Sequence, residues 1–367
     1  MRNRIILYII FTACTLMLLL QSCKDMDSVY EQYVVPGGKT YPGKANDLIA
    51  YSGHNRVKLM WMKGSDPSIT QAKVFWNYYA DSLVFDVDAD ADSISCVIDS
   101  LEENNYSFMV RHYNKNGDVS ITSEVLGTAY GANYSSGLRN RAVSSLALNQ
   151  QGGKVIKWGE ADITNGIVGM ELQYTDSLNN DRCDFFNWDE ASSIISAASN
   201  FQYRTLYLPD SLCIDTFYTD FEENLVKAEI LKENWIVSEF SNQHNSSASN
   251  RVTNIIDGNL ATRWHTHLTE SSYPHYVTID MGRVWNLSAV TVARANNNEN
   301  GCETFQIMVS TDNESWADAG TFEFDRFKNG VVSYELEGEP AARYFKFIGL
   351  SGPFNYMVMG ELGAYGN

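Results

Sequence analysis

The chain is poor in positive charge. Its 367 residues include 27 lysines and arginines against 45 aspartates and glutamates, a formal charge of −18. That balance argues against nucleic acid, whose phosphates need a basic face, and against a polybasic contact with a membrane. Beyond the N-terminus, no run is apolar over the roughly 20 residues that a spanning helix requires. Catalytic signatures are missing as well: there is no GxSxG elbow, P-loop, dinucleotide fingerprint or HExxH pair. Glycoside hydrolysis needs two carboxylates held across one bond, and no paired motif emerges from the many acidic residues. The acidic run at residues 86–92 lacks the central glycine and terminal glutamate of an EF-hand loop and reads as a solvated edge. The cysteines lack metal-type CxxC spacing. Apart from Cys14 and Cys23 there are Cys96, Cys183, Cys213 and Cys302. Cys183 and Cys213 either pair in an oxidising compartment or all four are thiols, the reading the sequence favours. Long helical periodicities are few, whereas 21 tyrosines and 17 phenylalanines suit β-sandwiches.

The N-terminus carries a compartment signal. Arg2 and Arg4 precede a nearly unbroken apolar run at residues 5–20, followed by Gln21-Ser22-Cys23. This three-part pattern is a signal peptide over residues 1–22 and is not part of the fold. A small residue before a cysteine at the end of the run resembles a lipobox, which implies acylation of Cys23. Lys24-Asp25-Met26-Asp27 resembles the surface-export signal of Bacteroidetes lipoproteins; a solvated linker is the alternative. The expectation is an outer-membrane protein, lipid-anchored and exposed at the cell surface, with residues 23–40 as tether. Pro36-Gly37-Gly38 gives that tether no core-forming period.

Alternation then begins. In Val57-Lys58-Leu59-Met60-Trp61 every second residue is apolar, so Trp61 falls on the inward phase. Residues 72–76, 93–98 and 121–128 supply further strands. Leu101, Tyr106 and the alternating Phe108 and Val110 resemble the tyrosine corner of a fibronectin type III domain, so residues 41–132 are expected to form one such sandwich. Tyr41-Pro42-Gly43-Lys44, Asn55-Arg56-Val57-Lys58-Leu59 and Asp66-Pro67 also resemble a Bacteroidetes lipoprotein family known only as domain of unknown function 4998. That resemblance supplies a setting and no activity. Lys154-Val155-Ile156-Lys157-Trp158 repeats the earlier strand pattern, and residues 133–234 read as a second fibronectin-like domain. Within it, residues 188–200 read as a loop with one helical turn.

Residues 235–367 carry the strongest pattern. Ile255-Ile256-Asp257-Gly258-Asn259-Leu260-Ala261-Thr262-Arg263-Trp264-His265-Thr266 comes first. Tyr276-Val277-Thr278-Ile279-Asp280-Met281-Gly282, Phe305-Gln306-Ile307-Met308-Val309-Ser310, Ala342-Arg343-Tyr344-Phe345-Lys346-Phe347 and Glu361-Leu362 follow in order. The ordered set resembles a discoidin domain (coagulation factor 5/8 type C), and in bacteria the discoidin-type carbohydrate-binding modules. The fold class expected is therefore all-β: two fibronectin type III-like sandwiches followed by a discoidin jelly roll.

Asp257, Asn259 and Thr262 share one turn around Gly258. A carboxylate, an amide oxygen and a hydroxyl suit a hard cation such as Ca²⁺, which takes six to eight oxygens. The resemblance implies that a carboxylate near the C-terminus, Glu361 here, completes the site, with backbone carbonyls such as that of Asn254 filling the remainder. An Asx turn without metal is the alternative. Arg263 and Asp280 are a possible pair, and His265, His267 and His275 invite comparison with zinc, although no helix aligns them. Sugar recognition needs an aromatic face to stack on a pyranose and planar polar groups for its hydroxyls. Loops of this segment hold both types, and the resemblance points to His265, Arg294, Asn298, Phe354 and Tyr356 as ligand contacts. The reading is thus a non-catalytic surface lipoprotein that captures a glycan, alongside other surface glycan-uptake proteins. A galactose- or N-acetylhexosamine-containing polymer is the class the resemblance implies. The alternative is a scaffold whose discoidin domain binds a protein partner.

Overall fold

The computed structural model describes residues 28–35, 38, 40–198, 200–269 and 271–367. The signal peptide, Cys23, the acidic stretch after it, and Pro36 and Gly37 lie outside the described residues. No described helix is long and apolar enough to cross a membrane. The chain divides after Gly131 into two compact units.

The first unit contains β1 (Asn46–His54), β2 (Arg56–Met62), β3 (Ile69–Trp76), β4 (Asp81–Asp86), β5 (Ser93–Ile98), β6 (Asn104–Asn114) and β7 (Ser123–Tyr130). They hydrogen-bond in the order β4-β3-β6-β7-β1-β2-β5. Every pairing is antiparallel except that of β1 with β7, where Gly53 and His54 meet Ala129 and Tyr130. The ribbon folds at that short parallel seam, so β1, β2 and β5 oppose the other four strands in a fibronectin type III-like sandwich. Side chains alternate across each strand with period two. Val57, Leu59 and Trp61 of β2 accordingly join Val74, Phe108 and Val110 in one buried cluster. The Trp61 indole N–H donates to His112 Nε2 at 2.8 Å, and His112 Nδ1 lies 2.7 Å from the Gly43 carbonyl. Nε2 must accept and Nδ1 must donate, which makes this imidazole a neutral Nδ1–H tautomer. The Tyr106 hydroxyl donates to the Glu102 carbonyl at 2.9 Å, closing the tyrosine corner.

The second unit begins with another fibronectin-like sandwich. Its strands are β8 (Val143–Leu148), β9 (Lys154–Trp158), β10 (Ile167–Thr175), β11 (Asp181–Asn187), β12 (Ser192–Ile195), β13 (Gln202–Tyr207), β14 (Phe217–Tyr218), β15 (Glu222–Glu223) and β16 (Ala228–Ile230). One sheet runs β11-β10-β13-β14 and the other β12-β9-β8-β16. Strand β12 corrects the expectation of a loop with a helical turn. Its inward positions are Ser193 and Ile195, and the serine hides the apolar alternation. Ser193 is held inside because its hydroxyl accepts the Trp158 indole N–H at 2.9 Å. All four cysteines beyond the N-terminus are thiols.

Sheet pairing continues into the terminal domain, where Glu229 of β16 sits opposite Tyr365. That domain comprises β17 (Ile236–Phe240), β18 (Trp264–His265), β19 (His275–Ala293), β20 (Thr304–Ser310), β21 (Ala317–Glu323), β22 (Val331–Glu335), β23 (Ala341–Ser351), β24 (Val358–Met359) and β25 (Glu361–Gly366). Strand β19 serves two sheets. Its first half lies between β17 and β23, and its second half between β22 and β25. The turn of direction falls at Gly282, whose φ of +84° is a conformation other residues rarely adopt. Asp280 anchors the bend, accepting the Gly282 N–H at 2.8 Å and two Arg343 N–H groups at 2.9 Å each. The expected Arg263–Asp280 pair is therefore corrected. The β19–β23 register brings Arg343 to Asp280, while Arg263 donates to Asn250. Phe305, Phe345, Phe347, Trp264 and Trp285 form the core of this jelly roll.

Candidate functional site

Strands β18 and β24 form a two-residue ladder, Trp264 opposite Met359 and His265 opposite Val358. Alternation turns Trp264 fully inward, with its indole N–H on the Asn242 carbonyl at 2.9 Å, and turns His265 the other way. Thr266 ties the ladder to the next loop by three bonds with Met357, at 3.0 Å, 2.8 Å and 3.4 Å. The loop ending in Phe354 and Tyr356 is thereby held against His265.

The result is a run of rings. Phe354 stacks on Tyr356 with centroids 5.1 Å apart and planes 5° apart. Tyr356 stacks on His265 at 5.2 Å and 15°. His244 tilts against His265 at 5.4 Å and stacks on His267 at 5.7 Å. Phe354 is the exposed end, with 49% of its surface open. Stacked aromatic pairs gain about 0.5–1.5 kcal/mol beyond the area they bury, which favours this orientation of the exposed ring. Burial holds the His265 imidazole below its ordinary pKa, against the opposing pull of its bond to the Thr266 carbonyl. Its neutral form is favoured, which suits packing between rings.

Polar groups flank this run. Asn300 donates to the Tyr356 hydroxyl at 3.3 Å, and its own N–H is received by the Asn298 side-chain oxygen at 2.9 Å. Asn298 thus shapes the loop with its oxygen. Arg294 is only 7% exposed. Its Nε donates to Asn329 at 2.9 Å and its Nη2 to the same oxygen. Nη1 makes no hydrogen bond and lies 4.0 Å from Glu299. Of the five contact candidates, the structure stacks His265, Tyr356 and Phe354 together and joins Asn298 to them through Asn300. Arg294 sits at the end of β19, committed mainly to Asn329. The sequence did not point to His244 or Asn300; the run of five polar residues at 296–300 was the signal for Asn300, whereas nothing singled out His244. His275, grouped with the other histidines by sequence, is fully buried and meets the Asn355 carbonyl at 2.8 Å.

The proposed cation loop lies at the start of β25. A 3-10 turn (Val252–Ile256) ends at Asp257, and Gly258 follows at φ +74°. Asp257 accepts the Asn259 N–H at 2.8 Å and the Thr262 hydroxyl at 2.7 Å, and the Asn259 side-chain oxygen accepts the Ala261 N–H at 3.0 Å. Glu361 is buried beside this loop. Its Oε1 accepts from Gly258 N–H at 3.0 Å and from Lys232 Nζ, and its Oε2 has no partner. Burial pushes the Glu361 carboxyl above its usual range, opposed by Lys232 and the Gly258 N–H. The orphaned Oε2, the Asp257 carboxylate and the Thr262 hydroxyl are oxygens of the kind a calcium ion takes. Among the described residues, no group of three or more histidines, cysteines, aspartates or glutamates is placed to hold a metal.

A separate cavity of about 1040 Å³ lies along β10, β11 and the start of β13, with Asn286 and Asn367 at its margin. It includes none of the ring-run residues.

Comparison with known proteins matches two stretches of the chain. The family model DUF4998, a domain of unknown function, matches residues 23–217, more than half of the chain. The F5/8 type C domain model matches residues 237–362. A sialidase of Micromonospora viridifaciens is 26% identical over 121 residues, which is 31% of this chain and 18% of the sialidase. The chain thus corresponds to less than a fifth of that relative's length. Among solved structures, the C-terminal domain of a Bacteroides fragilis chitobiase is 22% identical, with 38% of this chain and 97% of that one covered at a TM-score of 0.36. The Clostridium perfringens module CpGH89CBM32-5, solved with GalNAc-β-1,3-galactose, is 18% identical over 37% of this chain and 99% of its own, with a TM-score of 0.35. The family 32 module of C. perfringens NanJ, solved with galactose, is 16% identical over 38% and 99%, also at 0.35.

Proposed function

The chain belongs to the DUF4998 family, and we propose that its terminal F5/8 type C domain makes it a non-catalytic glycan-binding protein of the cell surface. The observation that carries this reading is the ring run, with half-exposed Phe354 at its open end and asparagine amides beside it. A pyranose offers an apolar C–H face and a rim of hydroxyls. The Phe354 ring supplies area for the first. Asn298 and Asn300 supply planar amides for the second, with buried Arg294 behind them on Asn329, and such pairing fixes stereochemistry because an unmatched buried polar group is costly. Galactose and N-acetylhexosamines are the sugars this reading favours. Calcium belongs to it as a structural ion: Asp257, Thr262 and Glu361, with Asn259 and backbone carbonyls, would hold it and fasten the loop to β25. The membrane tether belongs to it too, through acylation of Cys23, with other glycan-uptake proteins as surface neighbours. Replacing Cys23 by Ala should move the protein from the membrane fraction to the soluble fraction; retention in the membrane would remove the anchor from this reading.

Saturation-transfer NMR tests the sugar site. The full chain is expected to transfer saturation to galactose, N-acetylgalactosamine or N-acetylglucosamine, and Phe354→Ala to reduce the signal at least fivefold. Absence of transfer to all three from a folded protein would contradict the reading.

A further inference from the structure

Lys232 comes from the segment joining the second sandwich to the terminal domain, outside the residues matched by the F5/8 type C model. Its ammonium nevertheless lies on Glu361, with side chains only 18% and 9% exposed. The stem runs along β25: a Cβ built on Gly363 would come within 3.6 Å of Lys232 Cε. The Trp235 ring stands 5.9 Å from Nζ. An ion pair this far from solvent is little screened, and either partner left alone would be a buried, uncompensated charge.

This cation reaches the one buried carboxylate that the calcium reading needs. We propose that the Lys232 ammonium is the resident cation of the Glu361 cage, and that Lys232 and a calcium ion are mutually exclusive occupants of it. The argument is one of charge and space. The Glu361 Oε1 already accepts from Lys232 and from Gly258 N–H, which leaves only Oε2 without a partner. A divalent ion bound to that carboxylate would sit within a few ångströms of a fixed positive charge, where like charges repel strongly in a dry environment. Calcium therefore enters only as Lys232 withdraws, and its entry loosens the tie between the joining segment and β25. Without calcium, Glu361 Oε1 holds the Gly258 N–H of the loop and the Lys232 ammonium of the joining segment together.

This inference rests on the calcium reading above, and calorimetric titration of the full chain with CaCl₂ separates the two. Lys232→Met removes the charge and keeps the apolar stem. The account expects calcium to bind Lys232→Met at least tenfold more tightly than the natural chain, a difference of about 1.4 kcal/mol. It also expects Lys232→Met to melt lower than the natural chain in chelator and to regain the loss when calcium is added. Adding Glu361→Gln to Lys232→Met should abolish the gained binding, which locates the ion. Equal affinity in the natural chain and Lys232→Met would overturn the exclusion while leaving calcium binding in place. Failure of calcium to bind either protein, both folded by circular dichroism, would overturn the exclusion and the calcium reading together.

Discussion

His112 shows how one buried side chain couples the first sandwich to pH. Its two ring nitrogens are spoken for, one accepting from Trp61 and the other facing the Gly43 carbonyl. Burial holds its pKa below 6.5; the Gly43 bond and Asp66 pull upward and Lys63 pulls downward. The unfolded chain takes up its proton first, so the stabilisation is complete above about 6.5 and falls as pH drops through that value towards the lower folded one. Acidification from pH 7 to 5 should therefore lower the urea midpoint of the first unit. In His112→Asn, which cannot titrate there, the drop should be smaller; an unchanged drop would show that the proton goes elsewhere. The same sign applies to His265 and His275, both lowered by burial. These residue-scale properties were hidden from the sequence, because nothing local to His112 announces a tryptophan 51 positions away.

At the scale of elements, strand alternation did most of the specifying. The patterns at Val57–Trp61 and Lys154–Trp158 are the second strands of two like sandwiches, and Tyr106 closes the corner that its spacing from Leu101 predicted. Tyr106→Phe keeps the ring and loses one part-buried hydrogen bond, a net cost of about 1 kcal/mol. A denaturation curve should show that loss with an unchanged slope; no loss would mean that the corner is held by ring packing alone. Strand β12 escaped the pattern because a serine faces inward. The β18–β24 ladder escaped it because two residues carry no period. That ladder is what sets His265 against Tyr356, so the sequence named these residues one by one as expected contacts while their stacking stayed hidden. Lys232 was illegible for a different reason. It lies 129 positions from Glu361 in a segment with no motif, and the β16–β25 pairing beside it brings the two regions together.

Across the whole molecule, the proposed glycan-binding reading uses a small part of the surface. Trp61 and Trp158 are buried in the two sandwiches, whereas Trp188 of the second is 44% exposed, close to the 49% of Phe354 in the terminal domain. The charge of −18 favours neutral or cationic ligands over anionic polymers, so sulfated or uronic-acid glycans should bind less well than neutral ones, and binding to neutral glycans should change little with salt. A single shallow site of this kind gains affinity when many copies share one surface, which is the benefit that a lipid anchor at Cys23 would bring. The measurement that bears most directly on this account is a glycan-array screen of the natural chain beside Phe354→Ala. The account predicts saturable binding to neutral glycans ending in galactose or an N-acetylhexosamine, lost or weakened at least tenfold in Phe354→Ala. A folded protein that binds no glycan, or binds equally well without the Phe354 ring, would contradict it and turn the search towards a protein partner.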